Sequence, residues 1–439
     1  MQSLALWLYS AAVWLAQPLL RRKLRRRAQA EPGYAHAVDE RFGHYTGDPP
    51  ELESRRFVWI HAVSLGETRA AAVLLHALRR QSPGMRLLLT HGTATGRAEG
   101  QKLLQPGDVQ VWQPWDTRGA VQRFLRQFQP LVGILIETEV WPNLVAGCRA
   151  HSVPLVLANA RLSEKSLASA LRLAALSRPT YAALSAVYAQ TQADAERLRT
   201  LGAPVQAVLG NLKFDAQPKL AQLEQGRAYR KALARPVLLC ASSREGEEAE
   251  WLKNFKQKRA LALASQAQAA INTVANNVLW VIVPRHPQRF DAVCQLLVSA
   301  GLRVARRSQT DAPPSDIDVW LGDTLGDMAL YYSLADVALL GGSFAPLGGQ
   351  NLIEAAACGC PVVLGPHVFN FAEAAEQACA AGAADQVADM DAALDFAMAL
   401  AGDSRRLCAA RQSAAQFAQA HTGAAERTAS ALAQWLNND

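Results

Sequence analysis

The sequence predicts an α/β protein built from two doubly wound, Rossmann-like domains. Three observations carry that expectation. The chain has 439 residues, half of them hydrophobic, enough for two or three cores. From Val58 onward, short continuous apolar runs alternate with helical patterns, the signature of parallel sheets covered on both faces. The rhythm breaks once, across the polar stretch 211–236, and then resumes.

Taken in chain order, the first element is an uncharged run, SLALWLYSAAVWLAQPLL (3–20), followed at once by RRKLRRR (21–27). A secretory signal carries its positive charges ahead of the apolar run, so this order is the reverse. The positive-inside rule keeps the basic cluster, and all that follows, on the cytoplasmic side of a membrane. Residues 1–30 are therefore expected to form a short N-terminal membrane anchor helix, drawn also to anionic lipids. A helix lying in the membrane interface is the alternative, because the run is short and Pro18 weakens its end.

Next come VWIHAV (58–63), MRLLLTHG (85–92), LVGILIE (131–137), PLVLANA (154–160) and AVYAQ (186–190), each read as a strand followed by a helix, the first helix running from Gly66 to Arg80. The second series is VLLCASS (237–243), VLWVIVP (278–284), DVWLGD (318–323), DVALLGG (336–342) and PVVLG (361–365). The expected organisation is an anchor at 1–30, a first domain at 31–215, a linker at 216–236 and a second domain at 237–439. The last helix would pack back on the first domain. The alanine-rich stretch 254–277 is read as an extended helix or an insertion.

Composition narrows the function classes. The net charge is +7, but six of the positive charges fall between Arg21 and Arg27, so a nucleic-acid-binding body is not expected. Seven cysteines at irregular spacing form no disulfide framework, and Cys358-Gly-Cys360 has no second ligand pair beside it. Neither a dinucleotide GxGxxG fingerprint nor a GxxxxGK[ST] loop is present.

Ligands bind at the carboxyl ends of strands in such folds, and the motifs fall there. HAVSLGETRAA (61–71) places Glu67 in the first turn of a helix, where the dipole favours a carboxylate. Glu67 there is either an ordinary stabilising acid or a group able to take a proton from an attacking hydroxyl. ETEVWPN (137–143) offers Glu137 and Glu139 to an acceptor, or uses them to cap the helix at Pro142 or to pair with Arg161. His61 and His91 read as structural, hydrogen-bonded residues. In the second half, ASSREGEE (241–248), PRHP (284–287), GDTLGDM (322–328) and GGSFAPLGGQNLIEAAACGCPVVLG (341–365) converge as four loops. Their glycines would let amides approach a phosphate, and Glu354 could accept two ribose hydroxyls.

Together with YAHAVDERFGHY (34–45), NARLS (159–163), YAQT (188–191), GNLKFD (210–215) and PRHPQRF (284–290), these motifs resemble the lipid A 3-deoxy-D-manno-octulosonic acid (Kdo) transferases, glycosyltransferases of the GT-B class. The resemblance implies two domains facing across a cleft, a CMP-Kdo donor, and a lipid A precursor (lipid IVA) as acceptor. It further implies inversion at the anomeric carbon, no metal or other cofactor, and a place at the bacterial inner membrane in lipopolysaccharide biosynthesis. It makes Glu67 the catalytic base. Donor binding would fall to Ser243, Arg244, Arg285, His286, Gly322, Asp323, Thr324, Leu325, Gly326, Asp327, Gly348, Gly349, Asn351 and Glu354. The acceptor side would draw on Ser64, Gly66, Arg69, Thr93, Asp116, Glu137 and Glu139. The sequence departs from the family pattern at Gln350 (commonly His), Asp327 (Glu), Leu325 (Met) and across ASSREGEE, which lacks the usual Thr and His. Rival readings are a GT-B enzyme using a UDP- or GDP-sugar, a nucleotide-sugar 2-epimerase, and a membrane-tethered scaffold without chemistry.

Overall fold

The computed structural model describes residues 4–46, 57–215, 217–264 and 277–436. Two compact units emerge: one holds the chain up to position 216 and from 422 on, the other residues 217–421.

The first unit carries a seven-stranded sheet of β1 (Phe57–His61), β2 (Arg86–His91), β3 (Val109–Trp112), β4 (Val132–Ile136), β5 (Leu155–Ala160), β6 (Ala186–Ala189) and β7 (Val205–Val208). The strands lie in the order β3-β2-β1-β4-β5-β6-β7, and every pairing is parallel. Strand side chains alternate between two buried faces, which is why the runs read as continuously apolar. Val58 and Ile60 join one core with Leu74, Leu78 and Leu432, while Phe57 and Trp59 join the other with Phe124 and Leu157. The terminal helix Ala424–Leu436 packs on the Leu65–Gln81 helix, its start capped by Asp215, which accepts the Gly423 and Ala425 amides.

The second unit repeats the architecture with β8 (Val237–Ser243), β9 (Leu279–Pro284), β10 (Val304–Arg306), β11 (Val319–Leu321), β12 (Val337–Leu340), β13 (Val362–Leu364) and β14 (Ala384–Gln386), ordered β10-β11-β9-β8-β12-β13-β14 and again all parallel. Each sheet reverses its winding once, between β1 and β4 and between β8 and β12, and the carboxyl ends flanking such a switch point are where α/β sheets bind ligands.

Two expectations change. The stretch 216–236 is not a bare linker. It holds the helix Leu220–Ala232, which lies so close on the Met328–Leu334 helix that a Cβ at Gly226 would stand 2.4 Å from the Leu330 carbonyl. The 254–277 stretch belongs to the helix Glu247–Ala264 as far as residue 264, and 265–276 lie outside the described residues.

The spanning anchor is also corrected. The apolar run forms the 12-residue helix Leu4–Leu15, and a second helix, Gln17–Ala30, then carries Pro18 and the basic cluster. At ~1.5 Å per residue the first helix is about 18 Å long, against ~30 Å of hydrocarbon. Among the described residues no helix is long and apolar enough to cross a membrane. Proline explains the break: it lacks the N–H that would continue the ladder.

Candidate active site

At the end of β1 the chain turns through Ala62 and Val63 into the Leu65–Gln81 helix, with Ser64 as its N-cap. Glu67 stands at the third helical position. Its Oε2 accepts the Val63 amide at 2.8 Å and its Oε1 the Ser64 hydroxyl at 2.9 Å, while its own N–H reaches Ser64 Oγ at 3.3 Å. This is close to a capping box, in which an acid and a hydroxyl satisfy each other's backbone donors. The stabilising first-turn acid and the half-buried carboxylate at a strand end are thus one residue. Burial pushes its pKa up to about 7; the Val63 and Ser64 bonds pull it down, and Glu137 and Glu139 push it up. A base with a value near neutral pH is well matched to proton removal.

The surrounding loops brace this turn. Thr93 caps the Ala94–Gln101 helix and donates to the Val63 carbonyl at 2.8 Å. Gly96 lies beneath it, where a Cβ would come 2.9 Å from that carbonyl. Gly66 is exposed beside Glu67. Arg69 points outward and pairs with Glu99. The histidines are structural: burial pushes His61 down to about 3 and His91 to about 4, so both are neutral at ordinary pH.

Glu137 follows β4, the strand beside β1, with a left-handed backbone (φ 65°), a conformation that costs energy in a non-glycine residue. Its partner is Lys213, with Nζ 2.9 Å from Oε1, and not the Arg161 side chain. Glu139 accepts the Trp141 indole N–H at 2.8 Å, and burial raises its pKa. Neither acid caps the Pro142–Ala150 helix. Asp116 does, accepting the Asn143 amide at 3.0 Å and the Leu144 amide at 2.7 Å. With 8% exposure Asp116 is committed to that cap, which corrects its reading as an acceptor ligand. Lys213 lies in the GNLKFD motif, whose chemistry is legible in sequence only once Glu137 is known to face it.

In the second unit, four of the expected donor residues are held by the protein itself. Ser243 donates to Glu248 at 2.6 Å, and Arg289 grips that carboxylate with two bonds. Asp323 accepts from Arg306 Nε at 2.7 Å and from the Ser308 amide and hydroxyl. Burial alone would raise its pKa, but the Ser308 and Arg306 bonds hold it below the ordinary value. Thr324 and Asp327 bond each other at 2.7 Å. Gly322 is walled by Val283 and Tyr331, and Gly326 turns with φ 87°. Leu325 stands 74% exposed at the loop tip.

Other donor candidates do converge. Around Gly342 lie Arg244, Gln350 and Gly349, and Gly349 donates to the Gly342 carbonyl at 2.7 Å. Gly348 and Gly349 both have positive φ. Asn351 caps the Leu352–Ala357 helix, in whose first turn Glu354 sits. Burial and then the Glu354 charge push the buried Tyr332 phenol up, while the Arg285 charge pulls it down. His286 is exposed beside Arg285.

The residue missed by sequence reasoning is Glu247. Its carboxylate accepts the amides of Arg244 (2.8 Å), Gly342 (2.8 and 2.9 Å), Phe344 (3.2 Å) and Ala345 (3.2 Å). The amides at the start of the glycine-rich loop are therefore filled from within the fold, and the Gly349 amide is spent on the Gly342 carbonyl. Among the described residues no group of three or more His, Cys, Asp or Glu side chains gathers as a metal site.

Residues 36–216 match the family described as 3-deoxy-D-manno-octulosonic-acid transferase (kdotransferase). A 3-deoxy-D-manno-octulosonic acid transferase of Bordetella pertussis is 45% identical over 435 residues, 98% of this chain and 99% of the relative. The chain belongs to the Kdo transferase family. It is accordingly an enzyme of the glycosyltransferase kind. A Kdo transferase of Haemophilus influenzae is 31% identical, covering 83% of each chain. Among solved structures, a UDP-GlcNAc 2-epimerase from Neisseria meningitidis bound to UDP-GlcNAc aligns with a TM-score of 0.54 at 16% identity, over 86% of this chain and 99% of that one, a likeness of GT-B-like fold alone.

Proposed function

We propose that this Kdo transferase moves Kdo from CMP-Kdo to a hydroxyl on the glucosamine disaccharide of a lipid A precursor (lipid IVA), in lipopolysaccharide biosynthesis, with Glu67 as general base. The observation that carries the reading is the Glu67 carboxylate itself: half-buried, at the switch point of the first sheet, with a pKa pushed up to about 7. In the proposed step Glu67 takes the proton of the acceptor hydroxyl as its oxygen bonds to the anomeric carbon of Kdo. The bond from that carbon to the CMP phosphate oxygen breaks, and CMP leaves with the electron pair on the opposite face, so the centre inverts. CMP is a good leaving group, so no strong acid and no metal ion are called for.

The donor is assigned to the second unit, with Arg244, Arg285 and His286 toward the phosphate or the sugar carboxylate, the Gly348–Gly349 turn toward the phosphate, and Asn351 and Glu354 toward the ribose. Ser64, Glu137 and Glu139 are assigned to the acceptor.

The lipid would be met at a membrane surface. Leu4, Trp7, Leu8, Trp14, Leu15 and Leu19 are all more than half exposed on the first two helices, an apolar stripe that favours the headgroup and acyl boundary. The exposed residues Arg21, Arg22, Lys23, Arg25, Arg26 and Arg27 follow, suited to anionic lipid.

The test is transfer by the purified protein from CMP-Kdo to a tetraacylated lipid A precursor, read by mass spectrometry. A mass increase of one or more Kdo units is expected. No product with CMP-Kdo, but product with a UDP- or GDP-sugar, would overturn the reading.

A further inference from the structure

The N-terminal helix is inside out. Leu4, Trp7, Leu8, Trp14 and Leu15 face solvent, while the polar Tyr9 and Ser10 bond to the protein. Tyr9 Oη donates to Asp116 Oδ2 at 2.9 Å, and Ser10 Oγ donates to Asn143 Oδ1 at 2.7 Å. Asn143 in turn donates its side-chain amide to the Asp116 carbonyl at 2.7 Å. The same Asp116 carboxylate caps the Pro142–Ala150 helix through the Asn143 and Leu144 amides. One buried acid thus joins two elements that are distant in sequence: the apolar helix, and the helix start that directly follows the Glu137–Trp141 loop.

An apolar exterior explains why the helix is fastened by hydrogen bonds. If its leucines and tryptophans enter lipid, its grip on the protein must come from the other face, and a charge-assisted bond to a buried carboxylate is among the stronger ones available. The fastening point is specific. Fixing the helix to any other surface would hold the protein at a membrane equally well, but this one is within four residues of Glu139.

Resting on the reading above, of a lipid acceptor met at a membrane surface, we propose that Asp116 is a positioning residue for that acceptor. Through Tyr9 it holds the lipid-facing helix and the Glu137–Glu139 loop in one fixed register, so the acidic loop meets the sugar headgroup at a set height above the bilayer. Asp116 touches no substrate. Its burial, which pushes its pKa up to about 6 despite the capping bonds, is consistent with a carboxylate withdrawn from solvent for this purpose.

The full-length protein is assayed with the lipid acceptor in vesicles of phosphatidylethanolamine and phosphatidylglycerol, comparing wild type with Tyr9→Phe, which removes one hydroxyl, and with Asp116→Asn. Hydrogen exchange of residues 4–15 and of the Asn143 and Leu144 amides is read on the same proteins. For Tyr9→Phe, exchange should accelerate in the helix and the acceptor KM should rise roughly tenfold, while the KM for CMP-Kdo stays put. The two substitutions combined should cost no more than the worse of them. A loosened helix with an unchanged acceptor KM would overturn the proposal, leaving the helix a mere tether. Equal rises in both KM values would reduce Asp116 to a structural cap. If the wild type transfers nothing to lipid, the functional reading fails and the exchange data still judge the latch: unchanged exchange at Asn143 and Leu144 in Tyr9→Phe refutes it.

Discussion

Val63 donates its backbone N–H to Glu67 Oε2 at 2.8 Å, closing the turn between β1 and the following helix around the carboxylate itself. The bond ties catalytic assignment to local folding, because the group that would remove a proton is also the group that satisfies the helix start.

The pH profile should report that carboxylate. Burial holds its pKa near 7, so kcat/KM for the acceptor should climb with pH through about 7 and then level. Ser64→Ala removes a hydrogen bond that favours the ionised form, so the midpoint should move upward. A downward move would contradict the assignment. Stability carries the opposite slope. The folded value lies above the ordinary 4.5, so the folded chain keeps a proton that the unfolded chain has lost. Stability present below pH 4.5 is therefore lost as pH rises to about 7, and Glu67→Gln should lack that loss in melting curves taken across the window.

Glu247→Gln should weaken the second unit. Glu247 is 3% exposed and gathers the amides of residues 244, 342, 344 and 345; a carboxamide presents an N–H to some of them. A loss of about 1–3 kcal/mol in urea unfolding is expected for the unpaired donors. CMP-Kdo binding should fall with it, because Glu247 holds the Arg244 amide and the Gly342 amide, and Gly349 bonds to the Gly342 carbonyl. Unchanged stability would mean the loop finds its shape without Glu247.

Vesicle binding should depend on the first two helices. Replacing Leu4, Trp7 and Leu8 by serine should strip the protein from phosphatidylglycerol-containing vesicles in a flotation assay. Reversing Arg22, Lys23, Arg25 and Arg26 to glutamate should do so mainly at low salt, where each basic residue contributes roughly 1 kcal/mol near an anionic surface. Full binding by both variants would remove the interfacial reading.

Transfer should persist in excess EDTA. Activity lost in the chelator and restored by Mg²⁺ would contradict a scheme in which amides and basic side chains carry the phosphate alone.

Much of this fold was legible in the sequence for a physical reason. Interior strands of a parallel sheet are buried on both faces and read as unbroken apolar runs, as VWIHAV and LVGILIE do. The strands that escaped, β3, β7, β10 and β14, are the four sheet edges. Edge strands are short and half exposed; VQVW and VQAV alternate instead of running apolar. Glu67 was visible as a first-turn acid, but its burial was not. Asp116 was visible as a polar residue after a strand, yet its partners Tyr9 and Asn143 lie 107 and 27 positions away, so its commitment to a cap was hidden. The apolar run 3–20 misled as a span because its length conceals both the break before Pro18 and the inward polar face at Tyr9 and Ser10.

The most direct measurement is single-turnover transfer by Glu67→Gln, run beside calorimetric titration of the same protein with CMP-Kdo. The account predicts transfer reduced roughly 10²–10⁴-fold, the usual worth of a general base, with donor affinity unchanged. Near-normal transfer by the glutamine variant would contradict it.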